Sequence, residues 1–401
     1  MLLSLALVFL CGMALGTIFQ KLKLPSLLGM LLTGILLGPY VLNLLDPSIL
    51  NISTDLRQIA LIIILTRAGL NLDIRDLKRV GRPAILLCFV PACFEIAGML
   101  IFAPIFFGVT LLEAAVMGTV VAAVSPAVVV PKMLKLMESG YGKNKSIPQM
   151  IMAGASVDDV FVIVLFTAFT GLAKDGQLSP IRFLTIPTSI LFGLIGGILA
   201  GLLLYLLFSK AHIRDSGKVV IILSVSFLLV TVEHTLTGAV GFSGLLAVMA
   251  LGAALQQKNY PVSKRLANKF SKLWVGAEVL LFVLVGATVN ISYALKAGAM
   301  AILLIFCVLA FRLAGVFVSL IRTPLNKKER VFSALAYMPK ATVQAAIGGL
   351  PLAMGLACGE TVLTVAVLSI LITAPLGAAL VDATYQKLLI KAGTEGGKED
   401  T

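Results

Sequence analysis

Two adjacent carboxylates, Asp158 and Asp159, stand midway along an apolar run that reads Ala155-Ser-Val-Asp-Asp-Val-Phe161. If such a run crosses a bilayer, each ionisable group costs at least ~2.5 kcal/mol, so each is a functional candidate by default. Neighbouring residues on a helix point about 100° apart, so the two carboxylates cannot meet one partner equally and are expected to have different tasks. A carboxylate beside free backbone carbonyls offers hard oxygen ligands to a small monovalent cation such as Na⁺ or Li⁺, and it also accepts a proton. Cation and proton then compete for one place, which is the chemical basis of antiport.

The free carbonyls are expected from two interrupted helices. One apolar stretch reads Gly118-Thr-Val-Val-Ala-Ala-Val-Ser-Pro126, and another, Phe332-Ser-Ala-Leu-Ala-Tyr-Met-Pro339-Lys340. Proline removes a backbone donor and clashes with the preceding turn, so Pro126 and Pro339 each predict a break or kink. Ser125 places a hydroxyl at the first break. Lys340 directly follows the second, where its ammonium can offset the negative carbonyl ends of a half-helix. Glu95 and Arg312 lie in two further apolar stretches, each one span ahead of a broken one, and unpaired buried charges are heavily penalised. A Glu95–Arg312 ion pair is one expectation and an Arg312–Asp158 pair is the other. Reversing the charges of Glu95 and Arg312 together should rescue folding lost in either single change.

The elements that position these residues follow from composition. Of 401 residues, 59% are hydrophobic and 13% charged, too few to cover a water-facing surface. Stretches of about 20 apolar residues suit a membrane-crossing helix. They occur near 1–19, 25–42, 56–72, 83–107, 111–134, 147–172, 183–208, 218–237, 241–256, 273–292, 297–321, 331–354 and 361–386. The predicted fold is therefore an all-α polytopic membrane protein with 13 transmembrane helices. Of the 32 Lys and Arg, 25 fall in or at the loops after odd-numbered spans, including Arg75, Lys78, Arg79 and Arg82, and Arg67, Arg312 and Lys340 lie within spans. The opposite loops hold only Arg57, Lys174, Arg182 and Lys296. The positive-inside rule then puts the N-terminus outside and the C-terminus in the cytoplasm. The net charge of +13 reads as attraction to anionic lipid at the cytoplasmic face, with no call for nucleic acid. With span 7 as a linker, spans 1–6 and 8–13 form two inverted six-helix repeats, in which spans 5 and 12 correspond. Matched interruptions at corresponding positions are the sequence mark of a midplane site.

Other residues carry less. The five cysteines, Cys11, Cys88, Cys93, Cys307 and Cys358, lack paired spacing, so neither a disulfide framework nor a zinc site is expected. Arg67, Glu278 beside Trp274, and Glu233-His234 sit near membrane faces, and a pH-sensing role for His234 or His212 has no further support. Gly193, Gly197 and Gly201 form a small-residue row suited to close helix packing. No nucleophilic triad, phosphate loop or H-E-x-x-H motif occurs, so an enzyme is not expected, nor is a cofactor. A Na⁺-coupled solute symporter shares broken helices and inverted repeats but needs a larger polar site, and a cation channel needs a filter-like carbonyl motif.

Four separated blocks carry a resemblance. They are Arg67-Ala-Gly-Leu-Asn-Leu-Asp73, Ala123-Val-Ser-Pro-Ala-Val-Val-Val-Pro131, Ser156-Val-Asp-Asp-Val160 and Pro339-Lys-Ala-Thr-Val-Gln-Ala-Ala-Ile-Gly348. Together, and in order, they resemble the monovalent cation/proton antiporter superfamily in its two-aspartate branch, nearest to sodium/hydrogen exchanger subfamily B and its bacterial relatives. The resemblance implies a homodimeric, elevator-type Na⁺ (or Li⁺)/H⁺ antiporter of the cell membrane serving pH homeostasis. In it Asp159 binds cation and proton, Asp158 is its neighbour, and the broken spans cross beside them. It also implies a scaffold or dimerisation domain from 1–72 and 218–256, with 183–208 as linker helix. The core ion-transport domain would comprise 83–172, 273–354 and a last helix at 361–390, followed by a cytoplasmic tail at 391–401. Two features depart from the wider pattern. Arg312 stands where many electrogenic relatives hold a lysine, and the first break reads Val124-Ser125-Pro126 rather than Thr-Asp-Pro.

Overall fold

The computed structural model describes residues 1–72, 81–175, 185–235 and 241–391. Helices run in the order α1 (Leu2–Lys21), α2 (Ser26–Leu37), α3 (Pro47–Asn51), α4 (Ser53–Asn71), α5 (Arg82–Leu87) and α6 (Val90–Phe107). They continue as α7 (Leu111–Ala122), α8 (Pro126–Glu138), α9 (Ile147–Asp175), α10 (Thr185–Lys210), α11 (Asp215–Thr235) and α12 (Gly244–Lys258). The last are α13 (Tyr260–Ala287), α14 (Ile291–Ser319), α15 (Lys327–Ala336), α16 (Thr342–Ile347), α17 (Leu350–Ala353) and α18 (Gly359–Leu388). Among the described residues there is no strand beyond an isolated bridge between Tyr141 and Lys391. Nine helical stretches among them are long and apolar enough to cross a membrane.

Two compact units emerge. The first comprises 1–15, 30–74 and 163–288; the second comprises 16–29, 75–162 and 289–401. In the first, α4 packs on α12 and α13, and α10 packs on α12. The glycine row on α10 is the reason for that last contact: a Cβ at Gly197 would run into the backbone of Ala247, so only glycine permits this approach. In the second unit, α6 packs between α7 and α14, and α18 covers α15 and α16.

Several boundaries differ from the sequence expectation, each for a local reason. The stretch 83–107 is two helices, parted at Cys88–Phe89, because Pro91 in the first turn of α6 has no N–H to offer the Leu87 carbonyl and its ring clashes with that carbonyl, so the helix cannot run on unbroken. Span 331–354 starts at Lys327, where Asn326 and Glu329 form a capping box, and it breaks twice, at Tyr337–Ala341 and at Gly348–Gly349. The basic segment before residue 273 is helix rather than loop. Asn259 caps α13 by accepting the Val262 N–H at 3.2 Å, and the face Ser263, Leu266, Ala267, Phe270 and Trp274 is buried while Lys264, Arg265, Lys269 and Lys272 stay exposed. Helix α13 belongs to the first unit, so the C-terminal part of the second begins at Val289 rather than near 273. Asp73, Arg75, Lys78, Arg79, Arg182 and the tail 392–401 lie outside the described residues, as do the side chains of Lys174, Ser156 and His234.

Candidate functional site

The second unit brings both proline breaks together. Helix α7 ends at Ala122, and Ala123 turns extended (φ −71°, ψ 140°). Ser125 (φ −87°, ψ 110°) caps α8, whose first residue is Pro126, a position where a missing N–H is harmless. The Ser125 N–H donates to the Pro339 carbonyl at 2.8 Å, tying the first break to the second. Gln344 braces both breaks. Its Nε2 donates to the carbonyls of Val121 (3.0 Å) and Ala123 (2.8 Å), and its Oε1 accepts the Ala341 N–H at 2.8 Å. The sequence reading passed over Gln344; its signal was a buried amide in the first turn after a break, where orphan backbone groups collect. Gln344→Ala orphans those groups and is expected to lower stability by at least about 2 kcal/mol, seen as a reduced melting temperature in detergent.

Beside the crossing lies a buried charge cluster. Arg312 from α14 is fully buried, and its guanidinium donates to Glu95 Oε2 at 2.9 Å through Nη1 and to Asp158 Oδ2 at 2.9 Å through Nη2. It also donates from Nε to the Tyr337 carbonyl at 2.8 Å and from Nη1 to the Ala122 carbonyl, the open end of α7. Both pairings considered from the sequence are therefore present at once. Lys340 differs from expectation: its ammonium donates to Glu95 Oε2 at 2.5 Å, and its backbone N–H to Thr373 Oγ1 at 2.9 Å. The ammonium thus joins the ion-pair cluster, while Arg312 takes the half-helix carbonyl. Asp158 Oδ2 also accepts the Val124 N–H at 2.8 Å.

The two aspartates differ as adjacent helical residues must. Asp158 is held by Arg312 and the first break. Asp159, one position on, has no cationic partner among the described residues, and its Oδ1 is buried and unpartnered. Ser125 Oγ, Asp158 Oδ1 and Glu95 Oε1 are likewise buried without a partner among the described residues. A cluster rich in unsatisfied oxygens on broken backbone has the donor chemistry of a hard-cation site.

A family model described as "Sodium/hydrogen exchanger, transmembrane" matches residues 5–384. The chain belongs to the sodium/hydrogen exchanger family. This exchanger-family chain, a multi-pass membrane protein, is similar to human sodium/hydrogen exchanger 9B2, 33% identical over 422 residues that cover 100% of the chain and 77% of that protein. It is also similar to sodium/hydrogen exchanger 9B1 from Macaca fascicularis, 32% identical over 408 residues covering 97% and 79% respectively. Its fold is similar to that of the sodium proton antiporter MjNhaP1 from Methanocaldococcus jannaschii, with a TM-score of 0.85 at 22% identity, covering 96% of this chain and 97% of that one.

Away from the cluster, the first unit has charges of its own. Arg67 on α4 and Glu278 on α13 attract each other within that unit, where the sequence expectation placed each separately near a membrane face. Glu233 Oε2 accepts the Gly244 N–H at 2.9 Å and so caps α12.

Proposed function

We propose that this protein exchanges Na⁺ or Li⁺ for H⁺, with cation and proton competing for Asp159. The observation that carries this reading is Asp159, the helical neighbour of Asp158, which has no cationic partner among the described residues, together with the unpartnered oxygens of Ser125, Asp158 and Glu95. Family membership supports the reaction class, and the names of the relatives agree with it. Thirteen helices in two inverted repeats, a homodimer in the plasma or inner membrane with cytoplasmic C-terminus, anionic lipid at the cytoplasmic face and a role in pH homeostasis complete the proposal. The second unit carries the whole site and is the body that moves in an elevator-type cycle.

The charge balance of the cluster supports a particular stoichiometry. Ionised Glu95 and Asp158 pair with Arg312 and Lys340, and ionised Asp159, next in sequence to Asp158, leaves one negative charge in excess, which a single Na⁺ or a single H⁺ neutralises. Exchange is therefore expected at one to one and electrically silent. A net charge moved would be worth ~2.3 kcal/mol per 100 mV, about a 50-fold bias. In liposomes carrying an imposed K⁺ diffusion potential, the rate should change less than about twofold; a steep dependence on potential overturns the count.

The function itself is tested by reconstitution with an imposed ΔpH and a lumenal pH dye. Proton movement on adding Na⁺ or Li⁺ supports antiport and ranks the ions, whereas no response to any monovalent cation moves the reading to a Na⁺-coupled symporter.

A further inference from the structure

The Tyr337 side chain is fully buried, yet its hydroxyl has no hydrogen-bond partner among the described residues. An unpaired buried hydroxyl of this kind is destabilising and calls for a reason. Its surroundings supply one. The Tyr337 carbonyl accepts from Arg312 Nε at 2.8 Å, and the Arg312 guanidinium carbon lies 5.6 Å from the tyrosine ring centroid. The hydroxyl itself lies against Gly154 on α9, where a Cβ would collide with it and would also come 2.9 Å from Leu87 Cβ. Gly154 is four residues before Asp158, so the two share one face of α9 with their β positions about 6 Å apart. Asp158, one turn along α9 from Gly154, has its Oδ1 also buried, with no partner among the described residues. Such a gap is within reach of one bridging water.

We propose that Tyr337 is a positioning residue of the ion site: its ring and carbonyl hold Arg312, and its hydroxyl serves the ionised Asp158 carboxylate along the Gly154 face of α9. The proposal rests on the antiport reading. Without the hydroxyl, negative charge at the aspartate pair is less well supported, and the proton competes better.

The test uses Tyr337→Phe, which keeps ring and carbonyl, in full-length protein reconstituted with the pH dye. The expected result is a pH profile of exchange moved about half a unit to one unit to the alkaline side, with a melting temperature no lower than that of wild type. Gly154→Ala should lose activity and stability, and the Tyr337→Phe/Gly154→Ala double variant should recover part of both, because the colliding oxygen is gone. An unmoved pH profile in Tyr337→Phe, a fall in rate matched by a fall in melting temperature, or a double variant no better than Gly154→Ala overturns the proposal. If wild type exchanges no cation, the antiport reading fails and Tyr337's role goes with it; if wild type exchanges and Tyr337→Phe matches it, only the role of Tyr337 fails.

Discussion

Asp159→Asn is expected to abolish cation-dependent proton movement, a fall of at least about 100-fold, while the purified protein still folds. Asparagine keeps the size and one carbonyl oxygen of the side chain, so packing on α9 is preserved. What it removes is the charge. With Asp159 neutral, the cluster holds Glu95 and Asp158 against Arg312 and Lys340, already balanced, and a bound monovalent cation would leave one buried positive charge uncompensated. Leaving such a charge costs on the order of 3 kcal/mol or more, which is the 100-fold quoted. The same balance predicts that the variant is at least as stable as wild type, since an unpaired buried carboxylate has been removed. Liposome assays with Na⁺ and Li⁺, run beside thermal melts, check both halves. Residual exchange above about a tenth of wild type would move the site away from Asp159, and a melting temperature well below wild type would make the loss one of folding.

The residues of this site were legible before the coordinates, and their arrangement only partly so. Charged residues inside apolar runs announce themselves because lipid penalises them, which is why Glu95, Asp158, Asp159, Arg312 and Lys340 all stood out. Pro126 and Pro339 marked the breaks because proline acts on its own backbone, without help from tertiary packing. Partner choice is a different matter. One guanidinium has five donors, so Arg312 satisfies two carboxylates and two carbonyls together, and no spacing rule says so. Tyr337 and Gln344 were passed over since neither carries charge, and their roles depend on a crossing that joins residues some 200 positions apart in sequence. The start of α13 was misplaced for a related reason: an apolar-run criterion stops at Lys272, although one face of the helix continues into the interior.

That partner choice reverses one expectation drawn from the sequence. If Glu95 and Arg312 formed an isolated pair, exchanging their charges would rescue either single reversal. In the structure, Glu95 Oε2 also holds the Lys340 ammonium, and Arg312 also holds Asp158. The double reversal Glu95→Arg/Arg312→Glu sets a guanidinium against Lys340 and a carboxylate against Asp158, with the Ala122 and Tyr337 carbonyls now facing an anion. Rescue is therefore expected to fail, and the double variant should be no more stable than the singles. Arg312→Leu shows the scale: Asp158 loses its counter-ion, Glu95 keeps only Lys340, and two carbonyls lose their donor. Breaking one buried pair from one side costs about 3–5 kcal/mol, so most of this variant should fail to reach the membrane folded. Arg312→Lys keeps the charge but offers a compact ammonium for a forked group, so it should fold and lose stability by a smaller margin. Detergent-solubilised yield and melting temperature across the five variants, the two single reversals included, decide the matter. Recovery of wild-type stability in the double reversal would mean that Glu95 and Arg312 pair alone, and that the contacts to Lys340 and Asp158 contribute nothing.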